Sequence, residues 1–232
     1  MDIQPIDDFH CHLRQSSMME MVAPKISSGG VRLALVMPNL RPPITTTDQA
    51  LAYKTELSLL SPTTEFLMTL YLNPELTPEE IYHAHANGII GVKSYPKGVT
   101  TNSDSGIESY ELYYPVFEAM QKVGMVLNLH GEIPSDSAKD VCVMNAEQEF
   151  LTHLIKLHQD FPSLKIVLEH ATTMKAVECV KSLGNTVACT ITIHHLILVV
   201  DDWAGCCHNF CKPVAKFPHD RAALREVILV LR

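Results

Sequence analysis

Asp8-Phe9-His10-Cys11-His12-Leu13-Arg14 is the stretch on which the reading of this chain turns. Residues two apart on extended backbone point to the same side. His10 and His12 can therefore aim both imidazoles at one point, with Asp8 and Arg14 on that side if the strand persists. Imidazole binds zinc and similar ions well, and two of them at one strand end make half a metal site. An isolated His-x-His is more often an ordinary half-buried strand, so the other half must come from elsewhere.

Outward from that strand, expected over 3–9, the chain reads as repeated strand and helix units. A helix over 16–28 ends at Gly29-Gly30, and a buried strand over 31–37 stops at Pro38-Asn39. Asp48 is expected to cap a helix running to Leu60, followed by a strand over 65–70. Thr77-Pro78-Glu79-Glu80 gives cap, first-turn proline and acidic first turn in the right order for a helix to His85. A strand over 89–93 enters a long polar loop, 94–109, that contains Gly98, Asn102, Asp104 and Gly106. Helices over 110–122, 147–158, 173–182 and 220–228 then alternate with strands over 125–129, 165–168 and 187–193 and a loop over 199–217.

Polar residues suited to chemistry follow nearly every strand: His10 and His12, Asn39, Lys93, His130, His170, and His194 with His195. A doubly wound sheet uses mainly its switch point, whereas a barrel draws residues from many C-terminal strand ends. The expected fold is therefore α/β, an incomplete (β/α)8 TIM barrel with seven of eight strands, as one domain over 1–232. An eighth strand would have to begin in the apolar tail Val227-Ile228-Leu229-Val230-Leu231-Arg232. The competing fold is an open α/β sheet in which these histidines are core features.

Composition narrows the function classes. With 47% hydrophobic and 19% charged residues the 232-residue chain reads as globular. A formal charge of -8 without a Lys/Arg cluster argues against a nucleic-acid surface. The longest apolar run, 187–200, is broken by His194 and His195 and is too short to span a bilayer. Seven cysteines, an odd number, do not suggest a secreted disulfide framework, and no second pair follows Cys206, Cys207, His208 and Cys211 at zinc-finger spacing. With no apolar signal segment at the N-terminus, the expected compartment is the cytoplasm, with neither membrane nor nucleic acid as partner.

His130 in Asn128-Leu129-His130-Gly131-Glu132 ends a strand, with a glycine behind it to release the backbone, and Leu168-Glu169-His170 repeats the arrangement. Together with His10 and His12 they supply four candidate metal ligands. Lys93 ends an apolar strand; an ammonium has no lone pair, but burial near cations frees the neutral amine, which can take up carbon dioxide as a carbamate. A lysine paired with a carboxylate or with substrate is the simpler alternative.

At these residues a family comparison enters. HCHLR at 10–14, MPN at 37–39, KSYPKGVTTNSDSG at 93–106, NLHGE at 128–132 and LEHATT at 168–173 resemble dihydroorotases of the monofunctional bacterial and fungal type, within the amidohydrolase superfamily. CKPVAK at 211–216 is similar to fungal members, and the likeness runs through essentially the whole chain. The resemblance implies a barrel that binds two zinc ions and interconverts N-carbamoyl-L-aspartate and L-dihydroorotate in pyrimidine synthesis. By it, His10 and His12 hold the more buried zinc, N6-carboxylated Lys93 bridges both ions, and His130 and His170 hold the second. It further assigns Arg14 and Asn39 to the substrate carboxylate and Thr100 and Thr101 to a loop closing over substrate, with a homodimer as the candidate assembly. A guanidinium suits bidentate recognition of a carboxylate, and a closing loop excludes water from the reacting carbonyl.

Two departures accompany the resemblance. The family's proton-shuttling aspartate follows the eighth strand, and no matching motif occurs; Asp201 and Asp202 lie after the seventh strand, and no catalytic acid or base is assigned. Lys212 stands where bacterial members tend to carry an apolar residue. The expectation is a shortened dihydroorotase, inactive alone or rescued by association, since an open barrel exposes two strand edges. The alternatives are another cyclic amidohydrolase, such as a hydantoinase or allantoinase, and a non-catalytic interaction protein derived from the family.

Overall fold

Strand and helix alternate through the chain in the computed structural model, which describes residues 4–230. The order is β1 (Ile6–Cys11), α1 (Ser16–Ser28), β2 (Val31–Val36), α2 (Thr47–Leu60), β3 (Glu65–Tyr71), α3 (Pro78–Ala86), β4 (Gly91–Ser94), α4 (Tyr114–Val123), β5 (Val126–His130), α5 (Ala146–Asp160), β6 (Lys165–Glu169), α6 (Met174–Ser182), β7 (Val187–Cys189), α7 (Val200–Trp203) and α8 (Pro218–Val230). The seven strands form one sheet in chain order, and the pairs β1–β2, β2–β3, β3–β4 and β6–β7 are parallel. That is the strand order of an incomplete (β/α)8 barrel. Among the described residues, no helix is long and apolar enough to cross a membrane.

Local chemistry explains most of the boundaries. Thr77 accepts the Glu80 N–H and Pro78 opens α3, as the sequence predicts. For α2 the cap is Thr46 rather than Asp48: its hydroxyl accepts from Gln49 N, while the Gln49 side chain reaches back to the Thr46 N–H. Asp48 sits instead in the first helical turn. The helix expected over 110–122 opens with a 3-10 turn, Glu111–Tyr113, because Pro115 fixes the start of α4.

The seventh strand is shorter than the apolar pattern over 187–193 predicts. After Cys189, Thr190 and Thr192 spend their hydroxyls on Glu169 and His195, and Ile193–Leu196 winds into a 3-10 turn. Threonine side chains that find such partners compete with a strand ladder. At the far end, the apolar residues from Val227 onward continue α8 to Val230 rather than starting a strand. Leu231 and Arg232, like Ile3 at the start of the first predicted strand, lie outside the described residues.

The residues group into two compact units. The first holds the chain up to Ser94 together with Ser109–Leu127, and the second holds Tyr95–Glu108 and the chain from Asn128 on. Phe66, Met68, Leu70, Val36 and Val92 build the core of the first unit, where β4 lies with Lys93 opposite Tyr71. In the second, Phe150, Leu154, Ile166, Leu168 and Leu224 are fully buried. Gly131 is there for space rather than for turning: a Cβ at this position would lie well under 3.0 Å from Leu168 Cδ1.

Candidate functional site

In the first unit the pairing of β1 with β2 slips between Asp8 and Cys11, where Asp8 Oδ1 accepts the His10 N–H at 2.9 Å. The strand does not persist to Arg14, which lies on left-handed backbone at φ 62, its carbonyl bonded by the Tyr53 hydroxyl at 2.6 Å. Cys11 and Leu13 turn inward, leaving His10 and His12 half-buried with their Nε2 atoms 3.2 Å apart. A tetrahedral zinc at about 2.0–2.1 Å from each of two nitrogens holds them roughly 3.3 Å apart, so this pair fits the ion. Burial, then the positive charges of His10, Arg14 and Lys93, push His12 down to about 3 against a hydrogen bond with Asn39. A neutral imidazole is the ligand form.

Asn39 and Lys93 are buried, Lys93 completely. The first unit thus brings together all five residues expected from it: His10, His12, Arg14, Asn39 and Lys93. Cys11, between the two histidines, is buried in the core, and burial and Asp8 push its thiol up to about 12.

In the second unit His130 ends β5 with Nε2 2.9 Å from Glu132 Oε2, and Glu132 Oε1 lies 3.6 Å from Lys216 Nζ. Lys216 also donates to the Val143 carbonyl. Burial raises the Glu132 pKa, but the His130 hydrogen bond and the charges of His130, Lys216 and Lys212 outweigh it and hold the carboxyl below its usual range. A carboxylate facing Nε2 draws the ring proton there and leaves the Nδ1 lone pair for a metal, the arrangement common to metal-binding histidines. His130 and His170 stand edge to face, ring centroids 4.7 Å apart. His170 is at φ 43, a left-handed conformation that costs a non-glycine residue about 1–3 kcal/mol.

Thr100 and Thr101 lie in a loop whose base is closed by Ile107 N–H to Tyr95 O at 2.8 Å and Lys97 N–H to Ile107 O at 3.1 Å. Within it Ser103 Oγ donates to Thr100 O, and Lys212 Nζ donates to Val99 O at 3.1 Å. Lys212, Glu132, Ser135, Val143 and Gly98 help line a cavity of about 180 Å³ in this unit.

Of the other candidates, His195 is a satisfied core histidine. Its Nε2–H donates to Pro213 O, its Nδ1 accepts from the Thr192 hydroxyl, and burial pushes it down to about 4. Asp201 and Asp202 are exposed, and Asp202 caps the short α7 through the Val199 N–H. Among the described residues, no group of three or more His, Cys, Asp or Glu side chains is placed to hold an ion; the histidines stand in pairs. Glu132 and Lys216 are the residues that sequence reasoning left out. The two-residue spacing from His130 to Glu132 repeats that of His10 and His12, and was the signal available for the carboxylate.

No family model matches the sequence. The chain is 66% identical over 221 residues, 95% of its length, to the dihydroorotase of Mycosarcoma maydis, and spans only 56% of that protein. It is 49% identical over 241 residues to the dihydroorotase of Saccharomyces cerevisiae, spanning 66% of it. The crystal structure of Saccharomyces cerevisiae dihydroorotase in complex with 5-fluoroorotic acid superposes at a TM-score of 0.96 and 47% identity, over 100% of this chain and 68% of that one. The L-hydantoinase of Arthrobacter aurescens, at 19% identity and a TM-score of 0.79 over 95% of this chain and 54% of its own, shares the fold alone.

Proposed function

This chain belongs to the dihydroorotase family, and from that premise we propose that it carries the metal-binding and substrate-holding residues of a zinc-dependent dihydroorotase. The reaction is the reversible cyclisation of N-carbamoyl-L-aspartate to L-dihydroorotate in pyrimidine synthesis. The observation that carries the reading is the His10–His12 pair, two ring nitrogens 3.2 Å apart on a chain so similar to enzymes of that name.

His10 and His12 would hold one zinc and His130 and His170 the other, and a carbamate on Lys93 would supply a further oxygen ligand. Two such ions supply Lewis-acid polarisation of the amide or carboxyl carbonyl. Arg14 offers a planar pair of donors to the substrate carboxylate, and Asn39 an amide beside it. Glu132, facing His130 Nε2, would draw the ring proton there and leave the Nδ1 lone pair for an ion. Thr100 and Thr101 cover the substrate and exclude water. For compartment we propose the cytoplasm, in keeping with seven free cysteines, and for assembly a homodimer.

The test is binding to the zinc-loaded chain of L-dihydroorotate against hydantoin, which shares the cyclic amide but lacks the carboxylate. L-Dihydroorotate is expected to bind at least about tenfold more tightly, and Arg14→Gln to abolish the preference, in line with the worth of a charge-assisted bidentate pair. Equal binding of the two rings would direct the chain to hydantoinase-like chemistry instead.

A further inference from the structure

β6 ends at Glu169, and the chain turns through the left-handed His170 into α6. Four backbone donors in this turn each have an acceptor from another element. His170 N–H and Ala171 N–H go to Thr190, at Oγ1 and O, both 2.8 Å. Thr172 N–H donates to Glu147 Oε1 at 2.8 Å, and Met174 N–H donates to Asp220 Oδ1 at 2.9 Å. The Thr173 hydroxyl donates to Glu147 Oε2 at 2.5 Å while accepting the Ala176 N–H that caps α6.

Glu147 is the second residue of α5, whose Phe150, Leu154 and Leu157 are locked in the core. The carboxylate is therefore anchored, buried at 2% exposure, and spends both oxygens on the turn that follows His170. A helix cap alone would not need it, because Thr173 and Asp220 already serve the start of α6. Burial pushes Glu147 up to about 7, opposed by the Thr173 hydrogen bond, the Lys216 charge and the Thr172 N–H. The carboxyl group presents one oxygen to each of the two donors, Oε1 to Thr172 N–H and Oε2 to the Thr173 hydroxyl.

We infer that Glu147 is a positioning residue: by binding Thr172 and Thr173 with its two carboxylate oxygens it fixes the strained turn that aims the His170 imidazole. This rests on the reading of His170 as a ligand of the second zinc. Residues that orient a ligand typically contribute about 10–100-fold to metal affinity.

The test is a titration of the 232-residue chain with Co(II) in place of zinc, followed by visible absorbance and resolved into two binding steps. Glu147→Gln keeps the shape and is expected to weaken the step assigned to His130 and His170 by about tenfold, leaving the His10–His12 step unchanged. Thr173→Val breaks the same bond from its other end and should act alike, while Thr173→Ser restores it; this pair decides the matter if Glu147→Gln does not fold. A global loss of structure would weaken both steps together. Equal weakening or no change in these variants, with one step abolished in His170→Ala, overturns the positioning role and leaves the ligand reading intact. Two undiminished steps in His170→Ala overturn both.

Discussion

Gly131→Ala puts a methyl group between His130 and Glu132, where the structure has no room for one. The new Cβ would lie well under 3.0 Å from Leu168 Cδ1 and 3.5 Å from Phe150 Cδ1. Carbon atoms settle at about 3.5–4.0 Å, so the Leu168 methyl must retreat by at least about 0.5 Å. Leu168 is fully buried with Phe150 beside it, so retreat means a new rotamer in a packed core. Overpacking of this kind costs about 1–3 kcal/mol, read as a lower urea midpoint at unchanged slope. The decisive comparison is a double-mutant cycle. Leu168→Ala alone should cost about 2–5 kcal/mol through its cavity. In that background the obstructing methyl is gone, and Gly131→Ala should become neutral or stabilise by about 0.4–1 kcal/mol through the unfolded chain. An identical penalty in both backgrounds would refute the steric account, because it predicts a coupling of at least about 1 kcal/mol.

Two further predictions concern charge. His12 and His195 are depressed to about 3 and about 4 from 6.5, so each contributes stability that is present above pH 6.5 and lost as pH falls toward those values. Glu147, raised from 4.5 to about 7, acts oppositely: its contribution is complete below pH 4.5 and lost as pH rises through 7. Between pH 6.5 and 4.5 the metal-free folded chain therefore binds about one proton fewer than the unfolded chain at these three groups, and its stability falls on acidification by about 1.4 kcal/mol per pH unit. Glu147→Gln should roughly double that slope, whereas urea titrations showing greater stability at pH 4.5 than at 6.5 would contradict the assignment. Lys216→Met deletes the buried ammonium beside Glu132 and the bond to Val143 O, and is expected to cost about 3–5 kcal/mol in thermal or urea unfolding. Adding Glu132→Gln should return much of that loss; no recovery would mean that the carboxylate is not what the ammonium balances.

The fold was legible in the sequence wherever a local rule and the burial pattern agreed. Thr77-Pro78 starts α3 as expected, and the alternation of strand and helix held along the chain because each apolar strand is bounded by its own turn chemistry. It was less legible where side chains captured backbone or neighbour atoms. Thr46 outcompeted Asp48 as a cap through its reciprocal bonds with Gln49, and Thr190 and Thr192 shortened β7 through partners that lie twenty or so residues away or on the next turn. For the site, the two-residue period already pointed His10 and His12 the same way, although the strand stops before Arg14. Glu132, Glu147 and Lys216 were not foreseen. Buried charges have no pattern of their own in a sequence; their role exists only through partners such as His130, Thr173 and Val143, which the fold brings to them.

We propose a pair of zinc sites, one built on each of the two histidine pairs. Anomalous scattering at the zinc edge from crystals of the zinc-loaded chain tests it most directly. One peak is expected within bonding distance of the His10 and His12 nitrogens and another at His130 and His170, with density for a carbamate on Lys93 Nζ. Crystals that contain zinc but show no peak at either histidine pair would contradict it.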